Sequence, residues 1–253
     1  MTINAVDKAI TILNCFSMAQ PVLGVGAISQ ATGFSPSTVS RLLSTMEKRG
    51  VVQKAGGYGQ YQLGYQIDLW GQLSRAHNNL AAVARPAMEA LQERHGEEVS
   101  LHVAVADHRT CLARVASRHA IAMTGALGGR LPLHAGASGR VLLAYMNKDK
   151  RRRIIRAAPL EPYTPNTFTD PGQLEAELKR IRERGYAVSR EEREAGAYSV
   201  VAPIRKKGGG VAASLCLAGP LYRLDEDHLD RLVADVRHAA DAVSLALGCH
   251  KAT

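Results

Sequence analysis

The sequence predicts an α+β protein in two parts, a winged helix-turn-helix followed by a larger domain of strands and segregated helices. Three observations carry this. Between Val25 and Leu63 the chain reads short helix, tight turn at Gly33, second helix from Pro36 to Arg49, and a hairpin pivoting on Gly56-Gly57. Beyond residue 97, runs of strand-forming residues are interleaved with amphipathic helices, the pattern of a sheet with helices packed on it. The 253 residues suggest two domains and are enough to bury a core in each.

The elements follow in chain order. Val6, Ala9, Ile10, Leu13 and Phe16 recur at helical spacing and mark a first helix. Ala27, Ile28 and Ala31 supply the apolar face of the next one. Gly33 suits the positive φ of a tight turn, Ser35 is a good N-cap, and Pro36 at the first helical position has no N–H to leave unpaired. Val39, Leu42, Leu43 and Met46 point this second helix inward. Ser37, Thr38, Ser40 and Arg41 are left on its outer, N-terminal part, where a recognition helix meets base edges and phosphates. Val51-Val52 and Tyr61–Leu63 flank the Gly-rich turn as a two-stranded wing. The candidate DNA-contacting residues are therefore Ser35, Ser37, Thr38, Ser40 and Arg41, with Lys54 and Gln60 in the wing. The competing reading makes the hydroxyls helix caps and Arg41 a solvated charge.

Ile67, Trp70 and Leu73 extend a linker helix to about Asn79, and the predicted division is 1–64, 65–80 and 81–253. Arg85-Pro86 is expected to start or kink a helix that stops at Gly96. Strands are predicted over Val99–Val105, Cys111–Val115 and Ile121–Thr124, the first two joined by Asp107-His108-Arg109. Ser138–Met146 reads as a helix, and Asp170-Pro171 opens another that Gly185 ends. Ser199–Ile204 and Val211–Leu217 form a hairpin around Lys206–Gly210. Leu229 to Leu247 closes the chain as a helix.

Lys plus Arg outnumber Asp plus Glu by 32 to 23, a net charge of +9 that favours polyanionic partners. Residues 1–75 carry little of this excess. Much of it sits at Lys148, Lys150, Arg151, Arg152, Arg153 and Arg156, read as a solvated helix face, with a second DNA-contacting patch as the alternative. Cys15, Cys111, Cys216 and Cys249 form no CxxC pair and read as buried small hydrophobes in a reducing compartment. The N-terminus lacks the charged and apolar regions of a signal peptide, and the longest apolar run, near Val211–Leu221, is too short to span a bilayer. A cytoplasmic protein is expected. An enzyme is disfavoured: in Gly136-Ala137-Ser138-Gly139-Arg140 an arginine occupies the last glycine position of a nucleophile elbow, and no HExxH or P-loop is present. No cofactor or metal is expected. A non-switching DNA-architectural protein is the other rival, and the large second domain argues against it.

The chain resembles the IclR family of transcriptional regulators over nearly its whole length. The resemblance rests on Phe34-Ser35-Pro36-Ser37-Thr38-Val39-Ser40-Arg41-Leu42-Leu43 and Gly59-Gln60-Tyr61-Gln62-Leu63-Gly64 in the first domain. In the second it rests on Gly129-Arg130-Leu131-Pro132-Leu133-His134-Ala135, Ser138-Gly139-Arg140, Tyr163-Thr164-Pro165-Asn166-Thr167, Arg184-Gly185-Tyr186-Ala187, Ala202-Pro203-Ile204 and Gly219-Pro220. It implies a GAF-like effector domain behind the linker, and homodimers or homotetramers on a double-stranded DNA operator. It also implies a small carboxylic-acid effector at Ala137, Ser138, Ser189, Ser199, Cys216 and Ala218. Ser138 and Ser199 would bind the carboxylate, helped by N–H groups at the start of the Ser138 helix. Pro36, Ser40 and Gln60 stand where relatives usually carry Lys or Arg, His, and Lys or Arg, which implies weaker phosphate contacts per protomer. Ser189 replaces an acidic residue, and Cys216 and Ala218 replace hydroxyl-bearing ones. The expectation is a more apolar pocket that suits an aromatic or longer acid, in a regulator more in keeping with repression than activation.

Overall fold

The computed structural model describes residues 3–57, 59–77, 79–122, 127–157 and 159–249, the side chains of 75–77 excepted. The chain divides into two compact units, Met1–Asn79 and Leu80–Thr253.

The first unit holds helices α1 (Asn4–Leu13), α2 (Val25–Thr32), α3 (Pro36–Lys48) and α4 (Tyr65–His77). Its strands β1 (Leu23–Gly24), β2 (Val52–Lys54) and β3 (Gln60–Leu63) form an antiparallel sheet in the order β1-β3-β2. Gly33 ends α2 with φ +72° and donates its N–H to the Ser29 carbonyl, which turns the chain into α3. Ile12, Ile28, Val39, Leu43, Met46, Val52 and Tyr61 close the core of this unit. Two apolar faces read from the sequence are only partly used. Val6 and Ile10 are half exposed while Ile12 is fully buried, and Ala27 and Ala31 are exposed while Ile28 and Val25 carry the inner face of α2. Among the described side chains of α4, Ile67 reaches the core while Trp70 and Leu73 remain exposed.

The second unit opens with α5 (Leu80–His95), which starts before the Arg85-Pro86 step and carries Pro86 inside it. Strands β4 (Glu98–Val105) and β5 (His108–Val115) follow, so that His108 and Arg109 belong to a strand and Ala106, at φ +53°, makes the turn. Then come β6 (Leu131–Pro132), α6 (Ala137–Ala144), α7 (Lys148–Ala157), α8 (Pro171–Arg184), β7 (Ala187–Arg190), β8 (Ala197–Arg205), β9 (Val211–Pro220), a 3-10 turn at Leu221–Arg223 and α9 (Leu229–Ala246). The six strands form one antiparallel sheet in the order β6-β5-β4-β9-β8-β7. Ile121 and Ala122 lie outside any strand, and the rest of the strand expected there lies outside the described residues. The sequence reading passed over β6 and β7, which are two and four residues long. In α7, Lys148, Arg152, Arg153 and Arg156 are exposed, whereas Arg151 is buried and bonds Glu175 at 3.2 Å.

Period-two alternation sorts the sheet into two faces. Val99 and Leu101 of β4, Val200, Ala202 and Ile204 of β8, and Leu215 and Leu217 of β9 pack against α5 and α9 through Met88, Leu91, Val236 and Val243. Val201 and Cys216 face the opposite layer, with Leu143, Leu174, Leu178 and Ile181 of α6 and α8. Within α6, Gly139 passes so close to the preceding segment that an added Cβ would stand 2.5 Å from the Leu133 carbonyl oxygen and 2.8 Å from that of Pro132. Gly→Ala normally favours a helix interior. Here it meets backbone that cannot step aside, so Gly139→Ala should cost about 1–3 kcal/mol in a urea melt. A stabilised variant would show that this approach is not tight.

Candidate functional site

The outer end of α3 is a polar, exposed surface. Ser35, Ser37, Ser40 and Arg41 are exposed and Thr38 is half-buried. Ser35 is engaged as the cap: its Oγ accepts from the Thr38 N–H at 3.3 Å and lies 3.1 Å from Ser37 Oγ and 2.9 Å from Thr38 Oγ1. The local capping reading therefore describes Ser35, and it occupies one hydroxyl contact of Thr38 as well. Arg41 makes no ion pair among the described residues and lines, with Lys8, Thr38 and Thr45, a groove of about 430 Å³ between α1 and α3. Lys8 was not a candidate from sequence, because nothing local shows that α1 lies beside the recognition helix. In the wing, Lys54 is exposed and its Nζ stands 3.8 Å from Glu47 Oε1, a weak surface pair. The Gln60 carboxamide is close to the Gly57 turn.

The second unit contains a cavity of about 90 Å³ on the sheet face that carries α6 and α8. Strand register builds it. Ser189 pairs with Ser199, Ser199 with Ala218, and Ala218 with Glu98, so four strands place these side chains in one row. Ser100 and Cys216 pair in the next row. Ser138, Ser189, Ser199, Cys216 and Ala218 all line this cavity. Ala137 does not: it is fully buried among Val141, Leu143 and Leu178. The start of α6 is also less available than expected, since the Gly136 N–H donates to Glu192 Oε2 at 3.2 Å. His134 bonds the Glu161 carbonyl at 2.9 Å and is not among the residues that line the cavity.

The cavity also carries polar side chains that the Ser189, Cys216 and Ala218 replacements did not point to. Arg109, His102 and Ser100 line it too. Arg109 is 4% exposed, its Nη1 donates to His102 Nδ1 at 3.2 Å, and His102 Nε2 lies 3.1 Å from Ser100 Oγ. Because the guanidinium can only donate, the bond network assigns Nδ1 as acceptor and puts the ring proton on Nε2, facing Ser100. Burial, then the Arg109 and Arg193 charges, hold His102 well below the usual imidazole range, so it is neutral at pH 7. Burial raises the Cys111 thiol to about 11 and the Cys216 thiol also upward, which leaves neither as a thiolate nucleophile at neutral pH. The alternation of Glu98, Ser100 and His102 with Val99, Leu101 and Val103 was readable in β4. Nothing local marked Arg109, which sits in what reads as a polar turn. Among the described residues no group of His, Cys, Asp and Glu is placed to hold a metal, and no helix is long and apolar enough to cross a membrane.

A helix-turn-helix unit and a sheet-and-helix unit with a polar cavity are what two family models match: the IclR helix-turn-helix domain over residues 5–56 and the bacterial transcriptional regulator IclR C-terminal domain over residues 72–245. The chain belongs to the IclR family of transcriptional regulators. It is similar to the transcriptional repressor IclR of Escherichia coli K12, 28% identical over 248 residues that cover 97% of this chain and 90% of the relative. A crystallised protein from Silicibacter sp. TM1040 shares its fold with a TM-score of 0.89 at 28% identity, with 97% of each chain covered. An IclR homologue from Microbacterium hydrocarbonoxydans, solved in complex with 4-hydroxybenzoate, matches with a TM-score of 0.80 at 28% identity, covering 96% of this chain and 99% of that one. This IclR-family chain is thus a DNA-binding transcriptional regulator rather than an enzyme. Its second unit has the GAF-like layout of a curled sheet between helical layers.

Proposed function

We propose that this regulator is a repressor that binds an operator as a homodimer or homotetramer and is switched by a small organic acid in the second-unit cavity. The observation that carries the reading is the row Ser189, Ser199 and Ala218, converging with Ser138, Cys216 and Arg109 on one cavity. A similar chain has been crystallised with an organic acid, and another is named a repressor, which supports both halves. Residues 1–64 would supply the recognition helices, 65–80 the linker and 81–253 the effector and oligomerisation domain. In a dimer the two recognition helices read half-sites about 34 Å apart or a multiple of it. An acid that binds one arrangement of the protomers better shifts operator affinity by its differential binding, and a coupling of about 1–3 kcal/mol changes it some 5- to 150-fold.

The test is a gel shift on the DNA upstream of the regulator's own gene, with and without aliphatic and aromatic acids. A specific shift that one acid weakens supports repression relieved by that acid. A specific shift that no acid alters removes the effector. Ser199→Val replaces a hydroxyl on the cavity row with two methyl groups, which removes the polar contact and narrows the cavity. The variant should bind operator normally and lose most of the acid response, and an unchanged response would move the pocket elsewhere.

A further inference from the structure

The guanidinium of Arg109 is at odds with ordinary protein interiors. A buried charge is normally paired with an opposite one, because leaving water is costly and only a partner charge offsets it. Arg109 is 4% exposed, yet no carboxylate lies within ion-pair distance among the described residues, and its Nε has no hydrogen-bond partner. Its one hydrogen bond goes to a neutral acceptor, His102 Nδ1. The other acids lining the cavity are spent elsewhere: Glu192 bonds Arg140 and the Gly136 N–H, Glu98 stands 3.5 Å from Arg114, and Glu194 stands 3.3 Å from Arg193. Because His102 takes Nη1, the Nε–Nη2 edge of the guanidinium is left open, and Nη2 lies where a Cβ on Gly136 would be 3.5 Å from it. That edge presents two parallel N–H donors, the geometry that accepts both oxygens of one carboxylate.

We propose that Arg109 is the anion anchor of the cavity and that the ligand is a monocarboxylate. The inference rests on the effector reading above and specifies its chemistry. One uncompensated cation calls for one negative charge. Ser199 and Ser189, on the row across the sheet, supply hydroxyls for a polar tail. His102 is a positioning residue. It fixes the rotation of the guanidinium through Nη1, and Ser100 fixes the tautomer of His102 in turn.

The experiment is titration calorimetry of the full-length protein with formate, lactate, lactamide and 4-hydroxybenzoate, on the wild type and on Arg109→Gln, with operator gel shifts in parallel. Formate and lactate should bind, lactate more tightly. Lactamide, the neutral analogue, should fail, and any binding of 4-hydroxybenzoate should weaken in Arg109→Gln as that of lactate does. Arg109→Gln should weaken lactate at least tenfold while ligand-free operator binding is retained. The ligand-free variant should melt no lower than the wild type, because it removes a buried charge that has no carboxylate partner. A residue with a structural role would lower the melting temperature. In nitrogen NMR the His102 ring signals should move on lactate binding. Lactamide binding as tightly as lactate, or Arg109→Gln binding lactate unchanged, overturns the anchor, and so does no acid binding at all. Binding of 4-hydroxybenzoate that Arg109→Gln leaves unchanged overturns the anchor too. If acids bind in the predicted way but leave operator affinity unmoved, the effector reading fails and the anion site stands.

Discussion

Arg41→Ala is expected to weaken operator binding by about 1–3 kcal/mol per half-site, about thirtyfold or more for a dimer, while acid binding is unchanged. Arg41 is exposed on the outer end of α3, makes no ion pair among the described residues and shares a groove with Lys8. Its charge is therefore available to a partner, and its removal leaves no cavity and no orphaned neighbour. The mode of contact is separable. If Arg41 grips a guanine, the variant loses discrimination at one base pair; if it grips a phosphate, binding falls evenly across sequences and the salt slope drops by about 1. Parallel loss of acid binding and melting temperature would mean that Arg41 holds the fold. Lys8→Ala should behave like the phosphate case, with a smaller loss.

Arg140→Ala should be the most destabilising single change in the second unit, by about 3–5 kcal/mol. Arg140 is 1% exposed. It donates to Glu192 from Nε at 2.9 Å and again from Nη2, to Glu177 from Nη1 at 2.9 Å, and to the Val188 carbonyl at 2.8 Å. The network ties α6 to α8, to β7 and to the segment before β8. Truncation leaves two buried carboxylates without their shared partner, though Arg184 still holds Glu177 at 2.7 Å. Burial already keeps the Glu192 carboxyl above the usual carboxylate range, outweighing the pull of Arg140. A carboxyl whose folded-state pKa is raised costs stability above its unfolded value, and the cost fades as falling pH protonates both states. Loss of Arg140 raises it further. The deficit of the variant should therefore be largest near pH 7–8 and shrink towards about pH 5. Urea melts at the two ends decide this; an equal deficit at both would assign the loss to missing volume instead of charge.

Local chemistry made much of the first unit legible. Gly33, Ser35 and Pro36 stop one helix and start the next through backbone preferences that act within a few residues, and Val39, Leu43 and Met46 recur at the helical period. The same held for α8, bracketed by the Asp170 cap and Gly185, and for the β8–β9 hairpin around Lys206–Gly210. Short elements were lost. β6 and β7 have too few residues for a period to register, and their sheet hydrogen bonds come from partners distant in sequence. The inward face of α1 was misjudged at Val6 and Ile10, because amphipathic spacing shows that a helix has an apolar side but not how much of it meets a core.

The candidate site divides along the same line. Ser138, Ser189, Ser199, Cys216 and Ala218 were identifiable only through likeness to a family; strand register brings the last four to one cavity, and α6 brings Ser138 to it. Ala137 shows the limit of that transfer, since the rotation of α6 turns it into the core. Residue order alone decided where α3 and α8 begin and end, that β8 and β9 form a hairpin, and that a winged helix-turn-helix chain reads DNA. The tertiary structure alone decided that Arg140 is buried between two carboxylates, whereas among the described residues no carboxylate stands within ion-pair distance of Arg109. Arg109 follows a polar turn, and Arg140 stands in a helix of small and apolar residues. Their charge environments are set by side chains up to 52 positions away for Arg140. Electrostatic energy depends on distance and desolvation in the folded chain, and neither quantity is written in a local run of residues.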